Sequence, residues 1–343
     1  MSKFELDDVN LSAYLSQHIK GFSGPLTSSK FDGGQSNPTY RLDTQNKSYV
    51  LRSKPPGKLL RGAHAVDREF RILSALESTD VPVAKAYHLC EDDNIIGSMF
   101  YVMEYVEGRI LWDPVLPGMT PEQRSAIYTE MNRVLAALHS VNIVDNDLES
   151  FGKPGDYFAR QINTWTKQYQ SSETQHIPAM QALIEWLPAN IPQDDGLVSI
   201  VHGDYRLDNM MFHPDRDEVI AVLDWELSTT GHPYADLAYQ CMQHYMPHGK
   251  GLPGLAGADL QALGIPSESE YRDMYCQRMG IDEIPNWNFY LSFGLFRLAA
   301  ICQGVLKRAI DGNASSEKAT SYGEIVTPLA DIAIELANTA TQS

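Results

Sequence analysis

Positive charge is scarce in this chain. Lys and Arg number 27 against 44 Asp and Glu, giving a formal net charge of −17 over 343 residues. That balance argues against general nucleic-acid binding and against docking on an anionic membrane, though it leaves room for a local basic pocket. Cysteine is scarcer still. Cys90, Cys241, Cys276 and Cys302 are scattered, with no C-x-x-C spacing. Such usage suits reduced, buried thiols better than a disulfide framework or a zinc site. No run approaches the about 18 uninterrupted apolar residues of a membrane span, and the segment from Met1 to Asp8 has no signal-type apolar core. Repeats and low-complexity segments are also missing. These absences lead to the expectation of a cytoplasmic protein with neither nucleic-acid nor membrane partners.

The composition is that of an ordinary globular protein, 43% hydrophobic and 21% charged. The length suffices for a large core in two lobes. Phe31 to Pro38 is a turn-rich loop. Residues 39–42 and 48–52 then alternate as two strands around a turn. Residues 63–78 place Val66, Phe70, Leu73 and Leu76 on one helical stripe. Glu69 falls on that same stripe, where a carboxylate is costly unless it has a cationic partner or reaches water at the edge. Residues 95–106 read as an apolar strand, and Gly108 breaks it. This is the expected lobe boundary, with residues 1–106 before it and 107–343 after. Beyond Thr120 the chain reads as helices, starting with a capping box, Thr120-Pro121-Glu122-Gln123. Further helices are expected near 157–170, 178–187, 234–246, 269–279, 287–310 and 321–340.

Two short apolar runs interrupt that helical pattern, 197–201 and 219–223. Between them stands V-H-G-D-Y-R-L-D-N-M-M-F, residues 201–212, and the second run ends in Asp224-Trp225-Glu226. Strands joined by the turn 213–218 would bring Asp204, Asn209 and Asp224 together. Two carboxylates and an amide oxygen suit a hard cation such as Mg²⁺ and suit zinc poorly. D-x-x-x-x-N followed by a strand ending in Asp is also the spacing of a kinase catalytic apparatus, in which the first Asp accepts the proton of an attacking hydroxyl. His202 reads as a residue that orients the loop. A metallohydrolase site built from His202, Asp204, Asp224 and His232 is an alternative, but it leaves Glu69 without a role.

Seven stretches in order resemble the aminoglycoside phosphotransferase family of small-molecule kinases. They are GGQSNPTYRL, YVLRSKPPG, DREFRILSAL, FYVMEYVEG, VHGDYRLDNMMF, VIAVLDWE and GHPYADLAY, and they span roughly residues 30–245. The branch they are most similar to is the one related to the kinase-like domain of acyl-CoA dehydrogenase fusion proteins. The resemblance implies an α+β, protein-kinase-like two-lobed fold, with a small antiparallel-sheet N-lobe and a larger, mainly helical C-lobe. It implies ATP and Mg²⁺ as cofactors and a small-molecule hydroxyl acceptor as partner. By the same resemblance Asp204 is the catalytic base and Asn209 and Asp224 are the metal ligands. Gly33, Gly34, Ser36 and Asn37 cover the ATP phosphates. Glu69 pairs with a basic residue on the neighbouring strand, and Met103, Glu104, Tyr105 and Val106 form the hinge that reads the adenine. Asp236 is a structural brace for the loop.

Two departures stand out. Arg52 occupies the strand position usually held by a phosphate-binding Lys; it keeps the charge and changes the geometry. No A-P-E segment follows Asp224-Trp225-Glu226, which points away from a protein kinase switched by loop phosphorylation. The expected function is γ-phosphate transfer from ATP to a small-molecule hydroxyl, the acceptor leaning towards a hydroxy acid or hydroxy-acyl compound. The alternatives are an aminoglycoside or amino-alcohol kinase and a nucleotide-binding module without catalysis.

Overall fold

A computed structural model describes residues 6–31, 37–55, 65–153, 155–248, 254–312 and 317–340. The N-terminal part opens with helix α1 (Asp8–His18), whose first turn is capped by the Asp7 carboxylate. Strands β1 (Thr27–Lys30), β2 (Thr39–Asp43), β3 (Ser48–Ser53), β4 (Ala86–Cys90) and β5 (Phe100–Glu104) follow, with helix α2 (Val66–Leu76) between β3 and β4. The strands form one antiparallel sheet in the order β1-β2-β3-β5-β4. Leu42, Leu51, Phe100 and Val102 of the sheet pack against Leu11 and Leu15 of α1 in a small hydrophobic cluster. Helix α2 covers the sheet with the apolar stripe its sequence shows, and its buried set includes Glu69.

Past the sheet the chain becomes helical, as the pattern predicts. Helix α3 (Pro121–His139) begins with the expected reciprocal cap between Thr120 and Gln123. Helices α4 (Tyr157–Ser172), α5 (Pro178–Ala189), α6 (Tyr234–Cys241), α7 (Leu260–Leu263), α8 (Glu268–Met279), α9 (Trp287–Ile310) and α10 (Gly323–Ala340) build the larger lobe. Its core also takes in Ile72, Leu73 and Leu76 of α2, so the two lobes are packed through that helix. By length and composition α9 could cross a membrane, yet most of it is buried inside this lobe, as a core helix is. The four cysteines are free and buried.

Five short strands carry the polar loop. They are β6 (Arg109–Ile110), β7 (Ser199–Val201), β8 (Met210–Phe212), β9 (Val219–Val222) and β10 (Thr229–Gly231). The strands expected on either side of the turn 213–218 are β8 and β9, and they pair antiparallel. The apolar run 197–201 supplies β7, which pairs with β10. The polar loop therefore joins two different ladders, β7-β10 and β6-β8-β9. The expected strand 95–106 is β5 alone, starting at Phe100, because residues 93–96 form a turn instead. Strands β1, β4, β6 and β10 gave no clear alternation, being short, exposed or half-buried.

The α3 cap yields a test. Thr120→Ala removes the hydroxyl that accepts the Gln123 N–H at 3.3 Å. It should lower unfolding free energy by about 1 kcal/mol in denaturant melts without changing the m-value.

Candidate active site

The loop between β7 and β8 is held by its backbone. Asp236, near the start of α6, is fully buried. Its carboxylate accepts the main-chain N–H of His202 at 2.6 Å and of Gly203 at 2.9 Å. His202 is buried as well. Its Nδ1 accepts the Asp204 N–H at 3.2 Å, so its Nε2 carries the proton and donates to the Leu223 carbonyl at 2.8 Å. His202 thus ties the loop to the segment bearing Asp224 and is committed to structure. Gly203 has φ +85°, and a Cβ there would lie 2.8 Å from the Leu227 carbonyl oxygen. Only glycine fits both the left-handed backbone and the close approach.

Asp204 and Asn209 meet as their spacing predicts. A one-turn 3-10 helix, Leu207–Asn209, folds the loop back. Asn209 Nδ2 then donates to the Asp204 carboxylate at 2.8 Å and to the Asp204 main-chain oxygen at 2.9 Å. Both partners are acceptors, which fixes the amide orientation and leaves the Asn209 Oδ1 free to bind a cation. Strand β9 returns antiparallel to β8, and the Leu223 N–H donates to the Asn209 carbonyl at 2.8 Å. Asp224, the next residue, therefore emerges beside Asn209. It sits in the left-handed region at φ +61°, a conformation Asp tolerates better than most residues. A free amide oxygen beside a half-exposed carboxylate is a donor set that fits Mg²⁺.

Arg206 is mostly buried between acids, 3.5 Å from Asp204 and in a close ion pair with Asp208. Burial works to raise the Asp204 pKa, but the charges of Arg206 and Arg297 outweigh it and hold the carboxyl below the usual range. Burial is the stronger influence on Asp208, whose pKa is raised despite Arg206.

The other half of the cleft comes from the N-terminal sheet. Arg52 on β3 lies 2.8 Å from Glu69 of α2 through Nε. The N–H is not aimed along that contact, so the attraction is Coulombic more than that of an aligned hydrogen bond. A second guanidinium nitrogen donates to Asp224 at 3.0 Å and lies 3.6 Å from Glu226. Glu69 is 2% exposed and also accepts from Asn37 Nδ2 at 2.7 Å and the Tyr101 hydroxyl at 3.0 Å. Burial raises its pKa, and Arg52, Tyr101 and Asn37 all oppose that rise. For Arg52, burial disfavours the charge, and the surrounding carboxylates more than restore it.

The remaining expected residues divide. The side chain of Asn37, expected over the phosphates, is instead buried and braces Glu69. Gly33, Gly34 and Ser36 lie outside the described residues. Met103 and Glu104 end β5, with the Glu104 N–H bonded to Lys85 at 2.8 Å, whereas Tyr105 and Val106 have left the ladder. The Tyr105 ring lies 4.4 Å from the Arg41 guanidinium. The four residues of the metallohydrolase alternative do not gather. His202 is spoken for, and His232 bonds Asp195 at 3.2 Å in a separate cavity of about 330 Å³ lined also by Tyr157 and Tyr290. Among the described residues no group of His, Cys, Asp and Glu forms a metal cluster of that kind. The sequence reading missed Tyr101 and Arg297. Each is a single polar group inside an apolar run, and that was the available signal.

An antiparallel sheet over a helical lobe, with an Asp-Asn loop and a second Asp in the cleft between them, defines the protein-kinase-like class. The chain belongs to the phosphotransferase enzyme family (APH), whose model matches residues 27–274. A crystal structure of a putative aminoglycoside phosphotransferase from Ralstonia eutropha is 53% identical, with a TM-score of 0.91 over 98% of this chain and 99% of that one. Mouse acyl-CoA dehydrogenase family member 10 is 51% identical over 329 residues, covering 94% of this chain but 31% of its own length. This chain therefore spans less than a third of that relative. Spectinomycin phosphotransferase, solved with ADP and spectinomycin, shares the fold at 14% identity, with a TM-score of 0.62 over 96% and 98% of the two chains.

Two tests follow from the electrostatics. Arg52→Ala strands the Glu69 charge in the interior and should cost about 3–5 kcal/mol. Adding Glu69→Gln should recover much of it, so the double variant in denaturant unfolding would be far from additive. The Asp204 carboxyl, with its lowered folded-state pKa, contributes stability that is complete above the unfolded value of about 3.9. That contribution is lost as pH falls through the lower folded value. The stability of the wild type minus that of Asp204→Asn should therefore hold steady from pH 7 to 5 and fall only below about pH 4. A fall centred near neutrality would contradict it.

Proposed function

We propose that this protein transfers the γ-phosphate of ATP, with Mg²⁺, to the hydroxyl of a small molecule, a hydroxy acid or hydroxy-acyl compound being the favoured acceptor. The observation that carries the reading is the joint placement of Asp204, Asn209, Asp224 and Arg52 in one cleft. Membership of the phosphotransferase enzyme family supports it, as does the ADP bound to its spectinomycin-phosphorylating fold neighbour. The lean towards an acyl-type acceptor rests on the name of the acyl-CoA dehydrogenase relative.

In this reading Asp204 accepts a hydrogen bond from the attacking hydroxyl and orients it. A carboxylate with a lowered pKa is a weak base, which suits phosphoryl transfer, where the nucleophile loses its proton late and positioning dominates. Asn209 Oδ1 and Asp224 would hold the metal ion. Bound there, Mg²⁺ would neutralise the charge that develops on the phosphates. Arg52 lies against Asp224, placing a permanent cation where the triphosphate would run. Tyr105 and Val106, free of the ladder, offer backbone groups to the adenine. Asp204 weighs against the non-catalytic alternative, since a module that only bound Mg-nucleotide would need Asn209 and Asp224 but no carboxylate to orient an attacking hydroxyl.

The test is ADP release with Mg-ATP across aminoglycosides, amino alcohols, sugars, hydroxy acids and their CoA esters. Asp204→Ala should lose acceptor-dependent release by about 10²–10⁴-fold and keep nucleotide affinity. Asp224→Ala should lose the metal-dependent part of that affinity too. Wild-type turnover in Asp204→Ala on a competent acceptor would sink the assignment.

A further inference from the structure

A charge outside the expected set stands beside Asp204. Arg297 lies in the middle of α9, in the apolar stretch Leu291 to Ala300, and is 5% exposed. Its guanidinium carbon sits 5.2 Å from the Trp165 ring of α4 and 5.1 Å from the Tyr239 ring of α6. Among the described residues it makes no hydrogen bond and has no carboxylate within ion-pair distance. Its Nε is sealed from solvent without a partner. The two Nη nitrogens are equally unpartnered but, unlike Nε, keep some solvent-accessible surface.

Burying a guanidinium without an anion is unfavourable, and two ring faces return only part of the lost hydration. Every other cation in the cleft has its carboxylate: Arg52 has Glu69 and Asp224, and Arg206 has Asp204 and Asp208. Arg297 does not. Yet it is near enough for its charge to act on Asp204, and the Tyr239 hydroxyl, whose ring it covers, reaches Asp204 as well. Arg297 and Asp204 are thus neighbours of the same Tyr239 side chain. The surroundings of Arg297 are built from α4, α6 and α9 of the larger lobe, whereas Arg52 and the hinge residues Met103 and Glu104 belong to the N-terminal sheet, so Arg297 is placed for an acceptor rather than for the adenine.

We propose that Arg297, clamped between Trp165 and Tyr239, is the acceptor-side specificity residue and binds an anionic substituent, such as a carboxylate, that the acceptor carries a short carbon chain away from its reacting hydroxyl. The inference rests on the phosphotransferase reading and narrows it. An acceptor of this kind completes the ion pair that Arg297 lacks. A cationic acceptor would meet like charge at the same place, which selects against polyamines by repulsion as well as for acids by attraction.

The experiment uses the full chain saturated with Mg-ADP, which blocks turnover. Short hydroxy acids of graded length, and glycerol phosphate, are titrated against diols of equal length, with binding read by calorimetry or thermal stabilisation. The acids should bind the wild type better than the diols. Arg297→Met, which keeps bulk without charge, should weaken the acids by about tenfold or more and leave the diols unchanged. Arg297→Lys should fall between them and guards against a variant that does not fold. ADP affinity should be the same in all three proteins. Acids that bind no better than diols, or that bind Arg297→Met as well as the wild type, overturn the proposal while leaving the kinase reading intact. Weaker ADP binding in Arg297→Met also overturns it, by putting the guanidinium on the nucleotide phosphates. Failure of the wild type to bind Mg-ADP removes the kinase reading itself, and this inference with it.

Discussion

Most of the site depends on where one buried guanidinium sits. Arg52 reaches Glu69 on one side and Asp224 on the other, at 2.8 and 3.0 Å. It is therefore a link between α2, the N-terminal sheet and the segment of the helical lobe that carries Asp224. Such a link is costly to assemble in a low-dielectric interior, and it holds only because each charge is answered. Tyr101 and Asn37 satisfy the remaining lone pairs of Glu69. The interface is reinforced by hydrogen bonds to backbone carbonyls at its margins. The Val222 N–H bonds the Pro82 carbonyl at 2.8 Å, and Arg68 of α2 bonds the Ser228 carbonyl at 3.1 Å. The lobes therefore meet with Asp224 in a fixed place.

A second constraint sets the loop that faces this bridge. Asp236 and His202 turn their hydrogen bonds to backbone groups of this segment, so the loop is held without spending Asp204. The outcome is a division of labour. Fully buried acids and imidazoles fix the main chain, and the half-buried acids Asp204 and Asp224 are left to meet ligands. Asn209 does both, with its amide nitrogen bracing Asp204 and its oxygen left open. The Asp204 carboxylate stays charged at neutral pH because Arg206 and Arg297 outweigh its burial. Two of the charges that tune this carboxylate therefore come from its own loop and from a distant helix.

Much of this was legible in the sequence. Long helices with clean periodicity, such as α3, α5 and α9, stand close to where their apolar spacing puts them. Glu69 announced itself as a carboxylate on an apolar stripe, and the structure supplies the partner that position demanded. The convergence of Asp204, Asn209 and Asp224 followed from two short strands and a turn. What could not be read was set by long-range packing. The pairing of β7 with β10 depends on residues about 30 positions apart, with no periodic signal to join them. The side chain of Asn37 turned inward because Glu69 needed a donor, and nothing local specifies that. Arg297 carried the same signal as Glu69, a charge in an apolar helix face, but its significance emerges only when α4 and α6 bring Trp165 and Tyr239 against it.

In the proposed function the cleft between Arg52 and Asp204 is a metal-nucleotide site. The most direct measurement is a crystal structure of the protein with Mg²⁺ and a non-hydrolysable ATP analogue. The expected result is the metal on Asn209 Oδ1 and the Asp224 carboxylate, the phosphates beside Arg52, the adenine at Tyr105 and Val106, and the terminal phosphate facing Asp204. Nucleotide bound elsewhere, in the cavity around His232 for example, or bound in the cleft with Asn209 and Asp224 away from the metal, would contradict it.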